Sequence, residues 1–427
     1  MVTGANEAAV VQAGPAAAAP PATIPPKPAA IGYLQKPGLW KLVIKNLLLS
    51  VITIGIYRFW ARAGFRRYFW SNMTIAGEPL EYTGTGRELF IGFLIALAVL
   101  VPLGILYAVI ERLTLGDLAA AIALRVVYVL GLATLIQVAI FRARRYRLSR
   151  TAWRGIRAGQ SGSTWRYVGR SAVWGLLMIV TLGLAVPWAD VALERYKINH
   201  SWFGDARFSL EAKALRLFPR WLLVLGVFYL PIIVAFLANL SGLEAMIAAG
   251  MQQQPPPPPP YPQAFLLIFV SIFAGFPAVL WYRVASFRYL ASTTRLGPIH
   301  LTSRARGGAV LGIIAIYLFG LLVCFLALLG LIMLLAVPIG AAFAVAAQSG
   351  EAPPVGVIAI VILVVLAFLV PATQLLNYCW LRQQLLRHLA TTLSIEDVGA
   401  LERIAQSTLP RQKFGEGLAD SFDIGQF

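Results

Sequence analysis

The chain has 427 residues, 59% of them hydrophobic and only 13% charged, with a mean hydropathy of +0.74. An ordinary soluble domain carries about 25% charged residues, so the composition excludes a soluble globular protein and points to an integral membrane protein. The formal net charge of +18 is carried by arginines set beside apolar stretches, which fits positive-inside topology and contact with anionic headgroups rather than nucleic-acid binding.

Residues 1–35 are rich in alanine and proline and read as a disordered cytoplasmic tail. They lack the basic start and unbroken apolar stretch of a signal peptide. A first membrane repeat follows over 36–170, a second over 171–307, a third membrane hairpin over 308–393, and an acidic tail over 394–427. The long apolar spans fall in pairs: 89–110 with 118–141, 219–242 with 263–282, and 309–333 with 355–380. Residues 334–348 stay apolar and either extend the preceding helix with a kink or form a short outer one. The run Pro255 to Pro260, in an external loop 252–262, predicts a polyproline II spacer, read as a tolerated insertion.

Two shorter apolar segments, 42–59 and 172–189, match each other. Val51-Ile52-Thr53-Ile54-Gly55-Ile56 precedes Trp60, and Ile179-Val180-Thr181-Leu182-Gly183-Leu184 precedes Trp188. The pattern continues through Arg67-Tyr68 and Arg195-Tyr196 to Gly77 and Gly204, which reads as duplication. If both segments cross the membrane, giving eight spans, loops 58–88 and 142–170 fall outside with their many arginines, against the positive-inside rule. If both are re-entrant or interfacial half-helices, every arginine-rich segment is cytoplasmic, as are both termini. The expected fold is therefore mainly α: a polytopic transmembrane protein with internal repeats, six spans and two half-helices.

Five aromatic-basic segments follow apolar stretches. Four share one spacing: Trp60 before Arg67-Tyr68, Trp188 before Arg195-Tyr196, Trp281 before Arg288-Tyr289, and Trp380 before Arg387-His388. The fifth, Arg145-Tyr146, lacks the tryptophan. Residues seven apart lie nearly on one helical face, so each unit reads as a helix leaving the membrane with tryptophan at the interface and arginine near the headgroups. The plain reading is interfacial anchoring. The functional one is a ring that binds anionic lipid or another anion. Alternating stretches around glycine after these pairs (Met73 to Tyr82, Trp202 to Leu210, Arg295 to Thr302) predict small cytoplasmic β-hairpins, isolated or joined in a layer.

Thr53, Gly55, Thr181 and Gly183 are candidates to line a polar passage, because irregular backbone at membrane depth survives only where protein or water satisfies it. The competing reading is local: glycine permits close packing and threonine bonds back to its own helix. Two cysteines in apolar spans and three scattered histidines (His200, His300, His388) offer no metal or disulfide framework, and no cofactor is expected. No catalytic motif stands out, so an enzyme is not expected. Asp190 and Glu194 read as a solvated salt-bridge face. Residues 394–427 hold Glu396, Asp397, Glu402, Glu416, Asp420 and Asp423, and form either a loose tail or one docked on the arginine-rich layer.

The pattern Leu48 to Trp60, then Arg66-Arg67-Tyr68, then Gly77, together with the ending Gly415 to Asp423, resembles the YjgN-like family of bacterial inner-membrane proteins. The likeness covers roughly residues 35–427. It implies a bacterial cytoplasmic membrane and a multi-span fold, and no reaction. The Ala/Pro tail and the proline run depart from the pattern, as does the unit before Trp281, which has no Thr-x-Gly. The expected function is transport-like or lipid- and anion-interacting, with a structural or protein-binding membrane role, served by a cytoplasmic protein partner, as the alternative.

Overall fold

The computed structural model describes residues 29–252, 255, 258, 260–349 and 355–406. Five times a short strand leads into an outgoing helix, a returning helix and another short strand. After β1 (Ala29–Ala30) and β2 (Gly32–Tyr33), the first unit holds α1 (Leu39–Ile52), α2 (Arg58–Asn72) and β3 (Met73–Ile75). The second comprises β4 (Glu78–Tyr82), α3 (Gly86–Leu113), α4 (Leu118–Ser149) and β5 (Thr151–Trp153). The third is β6 (Ile156–Gln160), α5 (Thr164–Val180), α6 (Val186–Asn199) and β7 (Ser201–Phe203). The fourth is β8 (Ala206–Leu210), α7 (Phe218–Ala238), the short α8 (Leu240–Met251), α9 (Leu266–Ser292) and β9 (Thr294–Leu296). The fifth is β10 (Ile299–Ser303), α10 (Gly307–Ser349), α11 (Val355–Leu375), a π-helical segment Leu376–Arg382, α12 (Gln383–Thr392) and β11 (Leu393–Ile395), before the closing α13 (Val398–Glu402).

The strands form one antiparallel sheet in the order β1-β11-β10-β9-β8-β7-β6-β5-β4-β3-β2. That order returns on itself. Ala29–Ala30 pairs with β11, Gly32–Tyr33 pairs with β3, and the Ile31 N–H between them donates to the Leu393 carbonyl at 3.1 Å. One segment thus joins both edges of a curled sheet, leaving neither edge with a free ladder. The segment lies inside the stretch that composition assigns to a disordered tail. Short strands with two open edges offer a partner that overrides the local preference. The expected hairpins are present, with a fourth at Thr151–Gln160, and they are joined rather than isolated. Ala76-Gly77 and Arg154-Gly155 supply the two consecutive positive φ values of a tight type I′ turn.

Among the described residues, five helices are long and apolar enough to cross a membrane: Gly86–Leu113, Leu118–Ser149, Phe218–Ala238, Pro262–Ser292 and Gly307–Leu334. The uncharged α11 packs against α10 as a sixth long helix. Residues 334–348 continue α10, whose 43 residues reach ~65 Å, about twice the hydrocarbon thickness. The expected span 219–242 breaks at Asn239, where α7 hands over to α8. The conformation of residues 1–28, most of the proline run, and the acidic residues Glu416, Asp420 and Asp423 lie outside the described residues.

The first and third units are short. α1 and α2 have 14 and 15 residues, α5 and α6 have 17 and 14, and none is among the five. Each pair reverses at its Thr-x-Gly. Thr53 Oγ1 donates to the Leu49 carbonyl (2.7 Å) and accepts from the Tyr57 N–H (2.9 Å). Thr181 Oγ1 does the same with Leu177 (2.7 Å) and Ala185 (3.1 Å). Ile54 and Gly55, like Leu182 and Gly183, take positive φ. The reversal tips are greasy: Ile54 is 94% exposed and Leu182 70%.

Consecutive units pack through separate apolar clusters. Phe59 meets Leu89 and Tyr146 between the first and second units, and Phe141 meets Tyr167 and Tyr196 between the second and third. Val191, Trp221 and Tyr282 join the third and fourth. Leu39 and Phe65 meet Leu375, Tyr378 and Leu386 of the fifth unit, so the helices close a ring as the strands do. Inside the sheet, Ile31, Ile75, Leu80, Trp153, Phe203 and Ile299 converge with Leu401 and Ile404, and the C-terminal segment fills the ring.

Candidate functional site: a basic chamber on the ring axis

The aromatic-basic motif proves to be the joinery of the ring. Three of the five motif arginines reach from their returning helix to the entry of the next unit. Arg67 Nη2 donates to the Gly84 carbonyl at 3.1 Å, Arg145 to the Gly162 carbonyl and Arg195 to the Ala212 carbonyl, each reaching 17 residues ahead. Arg288 is exposed. Arg387 acts on Tyr33, at the entry of the first unit. Burial pushes that Tyr33 hydroxyl up to about 12, with the Asn72 amide and the Arg387 guanidinium opposing it.

The tryptophans lie on the same face, two turns earlier. Gly86 and Gly307 are the sites where they press closest: a Cβ there would come within 2.6 Å of Trp60 and 2.8 Å of Trp281. Trp188 packs on Phe218 at 5.0 Å. Trp380 instead donates to Ile313 of its own unit at 3.4 Å, because the π-helical segment alters its angular offset from Arg387.

The residue after each arginine binds the entry of its own unit. Tyr68 donates to the Lys36 carbonyl, Tyr146 to Glu88 at 2.8 Å and Tyr196 to the Ser163 carbonyl at 2.8 Å. Tyr289 Oη accepts from the Lys213 N–H at 2.8 Å, and His388 Nε2 from the Arg306 N–H at 3.3 Å. His388 does the work of tyrosine in the fifth unit.

The neighbouring helical face does something else. The five returning helices surround a cavity of about 800 Å³ between the membrane helices and the sheet. Five residues before each motif arginine, its wall presents Arg62, Ile140, Asp190, Arg283 and Arg382. One residue before, it presents Arg66, Arg144, Glu194, Phe287 and Leu386. Arg147 and Lys197 lie two residues after. Offsets of four and seven keep these positions on one helical face, whereas the motif arginine, 100° away, points between units. Nearer the sheet the lining mixes apolar Phe208, Leu301 and Leu393 with the hydroxyls of Thr151, Ser201 and Thr294.

Among the described residues, seven cations and two carboxylates face this chamber. Asp190 pairs with Arg283 at 3.0 Å and accepts from Tyr282 at 3.1 Å. Glu194 pairs with Lys197 and, at 3.8 Å, with Arg144. Burial pushes the Glu194 carboxyl up, but Lys197 and Arg144 outweigh it and hold it below the usual carboxylate range. Both acids therefore sit on a chamber wall and not on a solvated face. Arg66 is buried, donating to Tyr82 Oη at 3.3 Å. Arg382 Nε donates to Asn377 at 3.0 Å and lies over the Tyr378 ring.

Thr53, Gly55, Thr181 and Gly183 do not line this cavity. Their polar groups close the helix reversals, and Trp221 and Tyr229 of α7 donate to the carbonyls of Gly183 (2.7 Å) and Leu182 (3.0 Å). The lining set escapes a search for repeated identical residues because its positions vary between units. The available signal is charge five and one residues ahead of each Arg-aromatic pair.

The long apolar helices and their common sheet define a multi-pass integral membrane protein. The chain belongs to the family described as bacterial protein of unknown function (DUF898), whose model matches residues 36–421. It is 44% identical over 54 residues to the inner membrane protein YjgN of Salmonella typhimurium, covering 13% of this chain and 14% of that relative. It is 38% identical over 53 residues to the YjgN of Escherichia coli strain K12, covering 12% and 13%. The match thus spans about one seventh of these relatives' length. No solved structure matches the chain.

Proposed function

We propose that this is a bacterial inner-membrane protein that binds an anion in its axial chamber, as a transport-like or lipid-handling protein and not as an enzyme. The observation that carries the reading is the chemistry of the chamber wall. Among the described residues, seven cations and two carboxylates line one cavity, with apolar, aromatic and hydroxyl side chains between them. Cationic side chains gathered on one wall are the groups that recognise anionic oxygens. Six of the seven cations are arginines, whose planar forks suit carboxylate and phosphate oxygens.

In this reading the sheet and the arginine-rich connections face the cytoplasm, by the positive-inside rule. Six long helices span the bilayer, while the two short pairs enter it partway. The five recurring units descend from internal duplication. The motif residues Trp60, Arg67, Tyr68 and their counterparts support the site indirectly, by fixing the helices that carry the lining.

Native mass spectrometry of the full-length protein released from its own membrane tests this. The wild type is compared with an Arg62→Gln, Arg283→Gln, Arg382→Gln variant. An anion retained by the wild type and lost in the variant supports the proposal. No retained anion in either form favours the alternative, a structural or protein-binding role in which the sheet ring meets a cytoplasmic partner.

A further inference from the structure

We propose that the lumen of the strand ring is a port into the chamber and that residues 398–406, α13 and the segment after it, are the plug that closes it. Access alone is at issue, so the port stands whatever the chamber binds.

The inward-facing side chains of the ring show that lumen and chamber are continuous. Strand residues two apart share a face and lie ~7 Å apart along the strand. The strands that leave the returning helices place Thr151, Ser201, Thr294 and Leu393 on the chamber wall. Two residues further on, Trp153, Phe203, Leu296 and Ile395 gather in the cluster that holds Leu401 and Ile404. Strands running back toward the helices show the reverse order. Ala206 and Ile299 belong to that cluster, and Phe208 and Leu301, two residues later, border both cluster and chamber. Between the chamber and the hairpin turns at the far end of the ring sits the C-terminal segment. A barrel of about eight strands is filled by its own wall. This ring has more strands, and Leu401 and Ile404 occupy its centre.

The rim is shaped to receive the segment. Ala76 and Arg154 open their hairpin turns at φ 50°, and Gly204 opens its own at 58°. That conformation is therefore open to residues with a side chain. What excludes one at Gly204 is the plug: a Cβ there would lie 2.3 Å from the Ala405 carbonyl oxygen and 2.5 Å from Ile404 Cγ2. Gly297, in the fourth turn, has open space around it.

The polar fastenings are at the rim, where water can replace them. The Asp205 bonds to Ala405 sit on an exposed turn. The Arg157 N–H donates to Gln406 Oε1 at 3.1 Å, and half-exposed Arg154 and Glu402 approach at 3.9 Å. Bonds that exchange with water hold a segment weakly. β11 stays in the sheet, and Asp397, at φ 63°, makes the sharp turn into α13 about which the segment can swing.

The test uses the full-length protein in lipid nanodiscs, in a Cys324→Ser, Cys379→Ser background. Thr294→Cys reports the chamber, and Arg295→Cys, the next residue on the opposite face of β9, reports the outer surface. Reaction with a water-soluble maleimide is followed by mass spectrometry. With the native plug, Thr294→Cys should react far more slowly than Arg295→Cys. Leu401→Asp with Ile404→Asp should speed Thr294→Cys by roughly tenfold or more, since a carboxylate favours the released segment. Gly204→Ala should speed it from the ring side. Neither change should alter the Arg295→Cys rate, and amide exchange in β4, β5, β9 and β10 should stay slow. Equal rates at Thr294→Cys and Arg295→Cys with the native plug overturn the proposal, as does a Thr294→Cys rate unmoved by either variant. Acceleration that comes only with fast exchange in those strands also overturns it, because the chamber then opens by melting of the ring.

Discussion

The decisive residues differ from the conspicuous ones. Arg67 and Arg195 recur in register and are spent on backbone carbonyls of the next unit. Arg195→Ala should lower the thermal stability by about 1 kcal/mol, since the bond is charge-assisted but the side chain is exposed, and should leave the anion bound. Arg283→Gln should do the reverse. Thermal melts read beside native mass spectra separate the two classes. Thr53→Val and Thr181→Val each strip a hydroxyl that satisfies one carbonyl and one N–H. Each should lower stability by about 1–2 kcal/mol, and equal anion binding in both variants checks that these threonines close turns rather than line a path. Glu194 adds a pH dependence. Its carboxyl titrates below its ordinary value of 4.5 in the folded protein. The stability it contributes is thus complete above 4.5 and disappears as pH falls through the depressed folded value. Glu194→Gln should flatten that acid limb in melts recorded below pH 4.5.

At the scale of elements, the ring depends on two strands of only two residues each. Ala29–Tyr33 pairs with β11 on one side and β3 on the other. Ile31→Pro removes the N–H bonded to the Leu393 carbonyl and should open the sheet. Amide exchange should accelerate in β3 and β11 and stay slow in β6 and β7; uniform exchange throughout would show that the segment is not what closes the ring. The C-terminal segment is the other late addition. Asp205 and Ala405 bond reciprocally, the Asp205 N–H to the Ala405 carbonyl at 3.0 Å and the Ala405 N–H to Asp205 Oδ1 at 3.1 Å, while Arg154 approaches Glu402 at 3.9 Å. Of the docked and loose forms open to the acidic tail, residues up to Gln406 take the docked one.

Across the whole molecule, every helical pair leaves and re-enters one sheet, so all five aromatic-basic segments lie on one side. This makes the topology testable with few labels. In a Cys324→Ser, Cys379→Ser background, Leu115→Cys lies at the exposed turn between α3 and α4, and Arg295→Cys lies at the exposed central position of β9. A membrane-impermeant thiol reagent should label Leu115→Cys on intact cells and reach Arg295→Cys only after permeabilisation. Labelling of Arg295→Cys from outside would invert the proposed orientation.

The sequence by itself determined the membrane class, the pairing of long apolar helices, the reversals at Thr53 and Thr181, and the hairpins around Gly77 and Gly204. Each of these is local: apolar length, a hydroxyl one helical turn from its carbonyl, and glycine where φ must be positive. Only the tertiary structure decided that the hairpins join one ring, that Ala29–Tyr33 closes it, and that Arg62, Arg283 and Arg382 line one cavity. The reason is physical. Lining residues repeat only in part, with arginine at three of five equivalent positions, and what all of them share is an angle on their helices, which acquires meaning once five helices are held around a common centre. The motif read so plainly in the chain is what holds them there, which is why it recurs while the site it builds does not.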